Sequence, residues 1–196
     1  MDISRKAIVR ILIFQEIFLV AISLFWIYIK HPNSFKISGI YAFSYLSPFK
    51  NMIFDLTSIG IGLAASLILV FLSFLISYTY DPFKKSMASL DEMIISKIQT
   101  SDIIPIALAS GIAEEIFFRG ILQNGLGIYF SNIIFALLHF PGKEFWVYSL
   151  WTLFAGLFLG NIYAYTNNLF IVIVAHVMNN FLALLLWKKF KHKILK

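Results

Sequence analysis

The chain has 196 residues, of which 60% are hydrophobic and only 13% charged, and its mean hydropathy is +0.83. That charge is about half of what an ordinary soluble domain carries, too little to solvate a globular surface of this size, so the surface is expected to face lipid. With no cysteine, disulfides, thiol catalysis and thiolate metal sites are excluded; the net charge of +6 sits at the ends and beside apolar runs, which fits positive-inside topology and not a nucleic-acid groove.

A helix needs about 20 apolar residues to cross a bilayer. The first such run is Ala7 to Ile29, after a basic start. Phe25, Trp26 and Tyr28 stand where a signal peptide would need small residues, so the run is read as an uncleaved span. Gln15 and Glu16 interrupt it and are read as structural or interfacial. His31 to Asn51, with Pro32 and Pro48, reads as a loop. Leu56 to Tyr80 is the second span; its Gly60, Gly62, Ala64 and Ala65 offer a helix a close approach.

Asp81-Pro82 ends that span. From Phe83 to Ser101 the chain is mixed and charged. Met87, Leu90, Ile94, Ile95 and Ile98 recur at helical steps, so this is an interfacial amphipathic helix. The third span is Ile103 to Leu122. The fourth is short, Ile128 to Phe140, and stops at Pro141-Gly142. The fifth, Phe145 to Tyr165, carries Gly156 and Gly160 in GxxxG spacing. The sixth, Leu169 to Trp187, follows the turn Thr166-Asn167-Asn168 and leads into a basic tail.

The expected fold class is therefore all-α: a polytopic transmembrane bundle of about six spans plus one amphipathic helix. Residues 1–102 hold the N-terminal spans and connector, 103–187 a core, and 188–196 the tail. Arg5, Lys6 and Arg10 at one end and Lys188, Lys189, Lys191 and Lys193 at the other put both termini in the cytoplasm, with Lys30, Lys36 and Lys50 against the rule. The expected location is the cell's inner, or plasma, membrane.

Chemistry enters in the third span. ALASGIAEEIFFRGIL holds Glu114, Glu115 and Arg119. Left unpaired at a helix centre they would cost on the order of 8–10 kcal/mol. Glu114 lies roughly 16 Å along the helix from Ile103, so these charges must face protein or trapped water. Glu115 and Arg119 stand at i and i+4 and suit an ion pair that fixes helix register. Glu114 points about 100° away and is left free to act as a general base.

Two later spans repeat the anomaly. His139 lies in FALLHF four residues after Phe135, and His176 and Asn180 lie one turn apart in AHVMNN. One carboxylate, two imidazoles and an amide support hydrolysis: Glu114 with His139 takes a proton from water, and His176 with Asn180 donates to the oxyanion. Taken singly, each histidine also fits an interhelical clamp. Neighbouring Asn179 faces another way, and His31 and His192 receive no role. GxSxG, HExxH, P-loop and GxGxxG signatures are absent.

EEIFFR fits EExxxR through Glu114, Glu115 and Arg119, FALLH fits FxxxH through Phe135 and His139, and HVMNN fits HxxxN through His176 and Asn180. Ordered in this way within apolar spans, the trio resembles the CPBP (ABI) intramembrane proteases, which include the type II CAAX prenyl endopeptidases. The resemblance covers about Ile103 to Trp187. It implies a helix bundle whose site opens toward the cytoplasm, with Glu114 and His139 activating water, His176 and Asn180 stabilising the oxyanion, and Glu115 and Arg119 organising the site. A metal-free site is favoured; were zinc bound, Glu114, His139 and His176 would be its ligands. The expected function is endoproteolysis of a membrane-associated polypeptide, prenylated or not. The alternatives are a non-catalytic membrane partner or immunity-type binding protein of the same fold, and a proton-coupled carrier, against which the lack of a duplicated half counts.

Overall fold

The computed structural model describes residues 4–30, 49 and 51–195, and all regular structure among them is helical. The loop expected from His31 to Asn51, with Lys36 and Lys50, lies almost wholly outside the described residues. Five helical stretches are long and apolar enough to cross a membrane. α1 is Arg5–Lys30 and α2 is Leu56–Thr79. α3, Asp81–Leu90, is the amphipathic connector, starting two residues before the expected boundary and running on through a π-helical turn, Asp91–Ile95. α4, Thr100–Glu115, passes into a π-helical segment, Ile116–Gln123, and then into α5, Asn124–Leu138. α6 is Trp146–Thr166 and α7 is Leu169–Ile194.

The third and fourth expected spans thus form one helical stretch, Thr100–Leu138. It is not straight. Gly127 has φ 81° and ψ 168°, backbone that a side chain rarely adopts, and the chain turns back there. The Arg119 Nη2 to Asn132 Oδ1 hydrogen bond of 3.3 Å proves the reversal, because 13 residues of straight helix would hold those positions about 20 Å apart. The two expected spans survive as the two arms of this bend.

One end of the bundle gathers the termini. Arg5 reaches Asp102 at the start of α4 through two hydrogen bonds, 2.8 and 2.7 Å. Asp91 accepts from Trp187 and Lys191 of α7, and Lys188 caps the carbonyls of Ile95 and Ile98. Helical structure therefore runs seven residues past the boundary expected at Trp187, because its lysines find acceptors on the connector. Ser86 ties α3 to the turn before α6 through the Glu144 carbonyl. At the opposite end Asn168 holds the Ile53 backbone and the Ser58 hydroxyl.

Packing depends on small residues. A Cβ at Gly62 would lie 2.8 Å from Val174, and one at Gly111 2.6–2.8 Å from Val177, backbone included, so α7 lies directly on α2 and α4. At Gly156 and Gly160 a Cβ would meet Asn132 and Gln123, so the GxxxG face of α6 receives polar side chains of the bent stretch. Gly60 touches nothing within 4 Å. Outward, Phe14, Phe71, Tyr129 and Phe130 are exposed, as expected of surfaces solvated by lipid tails.

Candidate active site

The close approach of α4 and α7 across Gly111 aligns two polar ladders. On α4, Ser110, Glu114 and Glu115 are buried; on α7, His176 is buried and Asn180 half-buried. Glu115 is completely sequestered and accepts from two donors through one oxygen: Arg119 Nη1 at 2.9 Å and His176 Nδ1 at 2.6 Å. Arg119, equally buried, also donates to the Gly156 carbonyl at 2.8 Å and to Asn132, and lies over the Phe135 ring. The i,i+4 pair read from the sequence is present, and it reaches further than a register clamp: it joins α4, α5, α6 and α7 through one carboxylate and one guanidinium.

Glu114 is left over. Its Oε2 is sealed from solvent without a hydrogen-bond partner, 3.7 Å from His176 Nε2. The two nitrogens of His176 are thereby assigned different tasks. Nδ1–H donates to Glu115, and Nε2 faces Glu114. Asn180, one turn on, donates to Ser110 Oγ at 2.9 Å and accepts from Asn179. An amide has two N–H bonds, so one remains free.

His139 closes α5 as its C-cap residue. Its Nδ1 is 2.8 Å from the Phe135 carbonyl, which can only accept. Nδ1 therefore carries the proton and Nε2 is left with a lone pair. Phe135 separates the two imidazoles, with ring centroids 4.4 Å from His139 and 6.2 Å from His176. Among the described residues, Glu114, His139 and His176 do not form a group that could hold a metal ion.

Several participants escaped sequence reasoning. Ser110 and Asn132 are ordinary small polar residues in apolar runs, and only their contacts mark them. Glu16 was read as structural or interfacial; its Oε2 is sealed without a partner, and its charge interacts with those of Glu114 and His176. A carboxylate in mid-span was its signal. The π-helical segment begins immediately after Glu115. Such widened turns are rare and collect at functional sites, and hydrophobic periodicity does not reveal them.

Residues 97–182, which include every residue of the cluster on α4 to α7, match the family described as type II CAAX prenyl endopeptidase Rce1-like. That segment of the chain is similar to the Rce1-like family, and it makes up less than half of the chain. A curated relative, the uncharacterized protein YpbD of Bacillus subtilis (strain 168), is 29% identical over 122 residues. The match takes in 62% of this chain and 65% of YpbD, so the chain spans just under two thirds of the length of that relative. No solved structure matches. The apolar helices and the matched segment together support an integral membrane protein.

Proposed function

We propose that this Rce1-like protein hydrolyses a peptide bond in a membrane-associated polypeptide, through water activated by Glu114 and His139. The observation that carries the reading is the unequal treatment of two adjacent carboxylates. Each has one sealed oxygen without a partner, but Glu115 receives Arg119 and His176 on its other oxygen, whereas Glu114 accepts no hydrogen bond among the described residues. A buried acceptor without a donor costs about 1–3 kcal/mol. A water molecule delivered with the substrate removes that cost, and a carboxylate in a poorly solvated site is a strong base toward it.

In the proposed reaction, Glu114 takes a proton as the water oxygen bonds to the carbonyl carbon. The lone pair on His139 Nε2 holds the same water from the other side. The carbonyl electrons move to oxygen, and the free N–H of Asn180 donates to the oxyanion. His176, held by Glu115, presents its Nε2 toward the site. The C–N bond then breaks, and the proton held by Glu114 passes to the leaving nitrogen. The basic ends of the chain favour placing the termini and the open end of the site on the cytoplasmic side.

The test is Glu114→Gln, which keeps shape and removes basicity. Purified protein in liposomes is given two quenched reporter peptides, one farnesylated near its C-terminus and one carrying an apolar anchor. Wild type should cut at least one, and Glu114→Gln should lose the cleavage while unfolding at an unchanged temperature. Full cleavage by the variant would overturn the assignment of the base.

A further inference from the structure

A cavity of about 210 Å³ lies under the connector helix. Its walls are mainly apolar, among them Phe74, Met87, Ile98 and Trp187, and Tyr148 of α6 and Asn180 of α7 also line it. Asn180 is the amide assigned above to the oxyanion. The ring centroid of Tyr148 is 6.4 Å from that of His139. Glu114 and Tyr148 interact electrostatically. The Tyr148 hydroxyl makes no hydrogen bond among the described residues and is not sealed from solvent, and the residue lines the cavity.

Tyr148 thus stands near groups assigned to water, Glu114 and His139, and lines the same cavity as the amide assigned to the carbonyl oxygen. A neutral phenol is a good O–H donor. It is ill suited to accept a proton from water, and a donor aimed beside Glu114 would only weaken that base. The place where an unused donor is productive is the oxygen that becomes negative, where the free N–H of Asn180 and the Nε2 of His176, when it carries a proton, leave room for a further donor.

We propose that Tyr148 is a further catalytic residue, its hydroxyl donating to the substrate carbonyl oxygen alongside Asn180. The inference rests on the proteolytic reading. In the step it serves, water oxygen bonds to carbon and the carbonyl π pair moves to oxygen, where Tyr148 and Asn180 both donate. As the pair returns, the C–N bond breaks and nitrogen takes the proton from Glu114. Tyr148 stays protonated throughout and supplies no atom to the products. Its ring also borders the apolar cavity, so the same residue sets where the cavity ends and the reacting carbonyl begins.

The decisive variant is Tyr148→Phe, which keeps the ring beside His139 and removes only the donor. With the two reporter peptides, kcat should fall on the order of 10²-fold, with KM unchanged because the bond strengthens only in the transition state. Tyr148→4-aminophenylalanine, which restores a neutral donor, should recover most of the lost kcat, and a purely structural ring would show no such recovery. If Tyr148→Phe retains wild-type kcat where Glu114→Gln is inactive, the Tyr148 assignment falls and the protease reading stands. If Tyr148→Phe does not fold, a 4-aminophenylalanine protein that folds but turns over no faster than about a hundredth of wild type overturns the assignment as well. If wild type cuts neither peptide, the protease reading fails first and takes this assignment with it.

Discussion

Replacing Arg119 with Met probes the centre of the bundle. Arg119 and Glu115 are both fully buried and 2.9 Å apart, and Arg119 also donates to the Gly156 carbonyl and to Asn132. Met is unbranched and near in length, so the lost interactions are chiefly electrostatic. The change strands Glu115 with His176 as its remaining donor, and it leaves the Gly156 carbonyl without its side-chain donor. Breaking a buried pair from one side costs about 3–5 kcal/mol. The double variant Glu115→Gln with Arg119→Met removes the stranded charge, so it should be less destabilised than Arg119→Met alone, by about 1–3 kcal/mol. Equilibrium unfolding in mixed detergent micelles, followed by tryptophan fluorescence, measures all three proteins. Arg119→Met unfolding within about 0.5 kcal/mol of wild type, the range of ordinary surface changes, or a double variant less stable than Arg119→Met, would refute this account.

Other sites give sharper contrasts of sign. Gly111→Ala puts a methyl 2.6–2.8 Å from Val177, backbone included, and should cost about 1–3 kcal/mol in the same unfolding assay; Gly60→Ala, with nothing within 4 Å, should gain about 0.4–1 kcal/mol. Asn168→Ala removes the N-cap of α7 and its bonds to Ile53 and Ser58, and should lower stability by about 1–2 kcal/mol, with faster proteolysis near residue 53. Ser110→Ala takes away the acceptor that holds the Asn180 amide; on the reporter peptides it should lower kcat by up to about tenfold while leaving the unfolding midpoint near wild type.

The sequence by itself determined the solvent of this protein, because apolar runs of membrane length and a shortage of charge admit few other surroundings. It also determined which residues were anomalous there, since Glu114, Glu115, Arg119, His139 and His176 are costly inside lipid wherever the chain goes. Helical spacing was enough to pair Glu115 with Arg119, because i and i+4 share a face in any helix. Tertiary structure decided everything that depends on two helices meeting. That His176 spends Nδ1 on Glu115 and turns Nε2 to Glu114 follows from the contact of α4 with α7 at Gly111. That the third and fourth spans are the arms of one bent stretch follows from the backbone at Gly127. Tyr148 comes near His139 from α6 only through packing. A period read along one helix gives the direction of a side chain around its own axis. It carries no information on the azimuth, depth or partner of the neighbouring helix, and those set the distances on which chemistry depends.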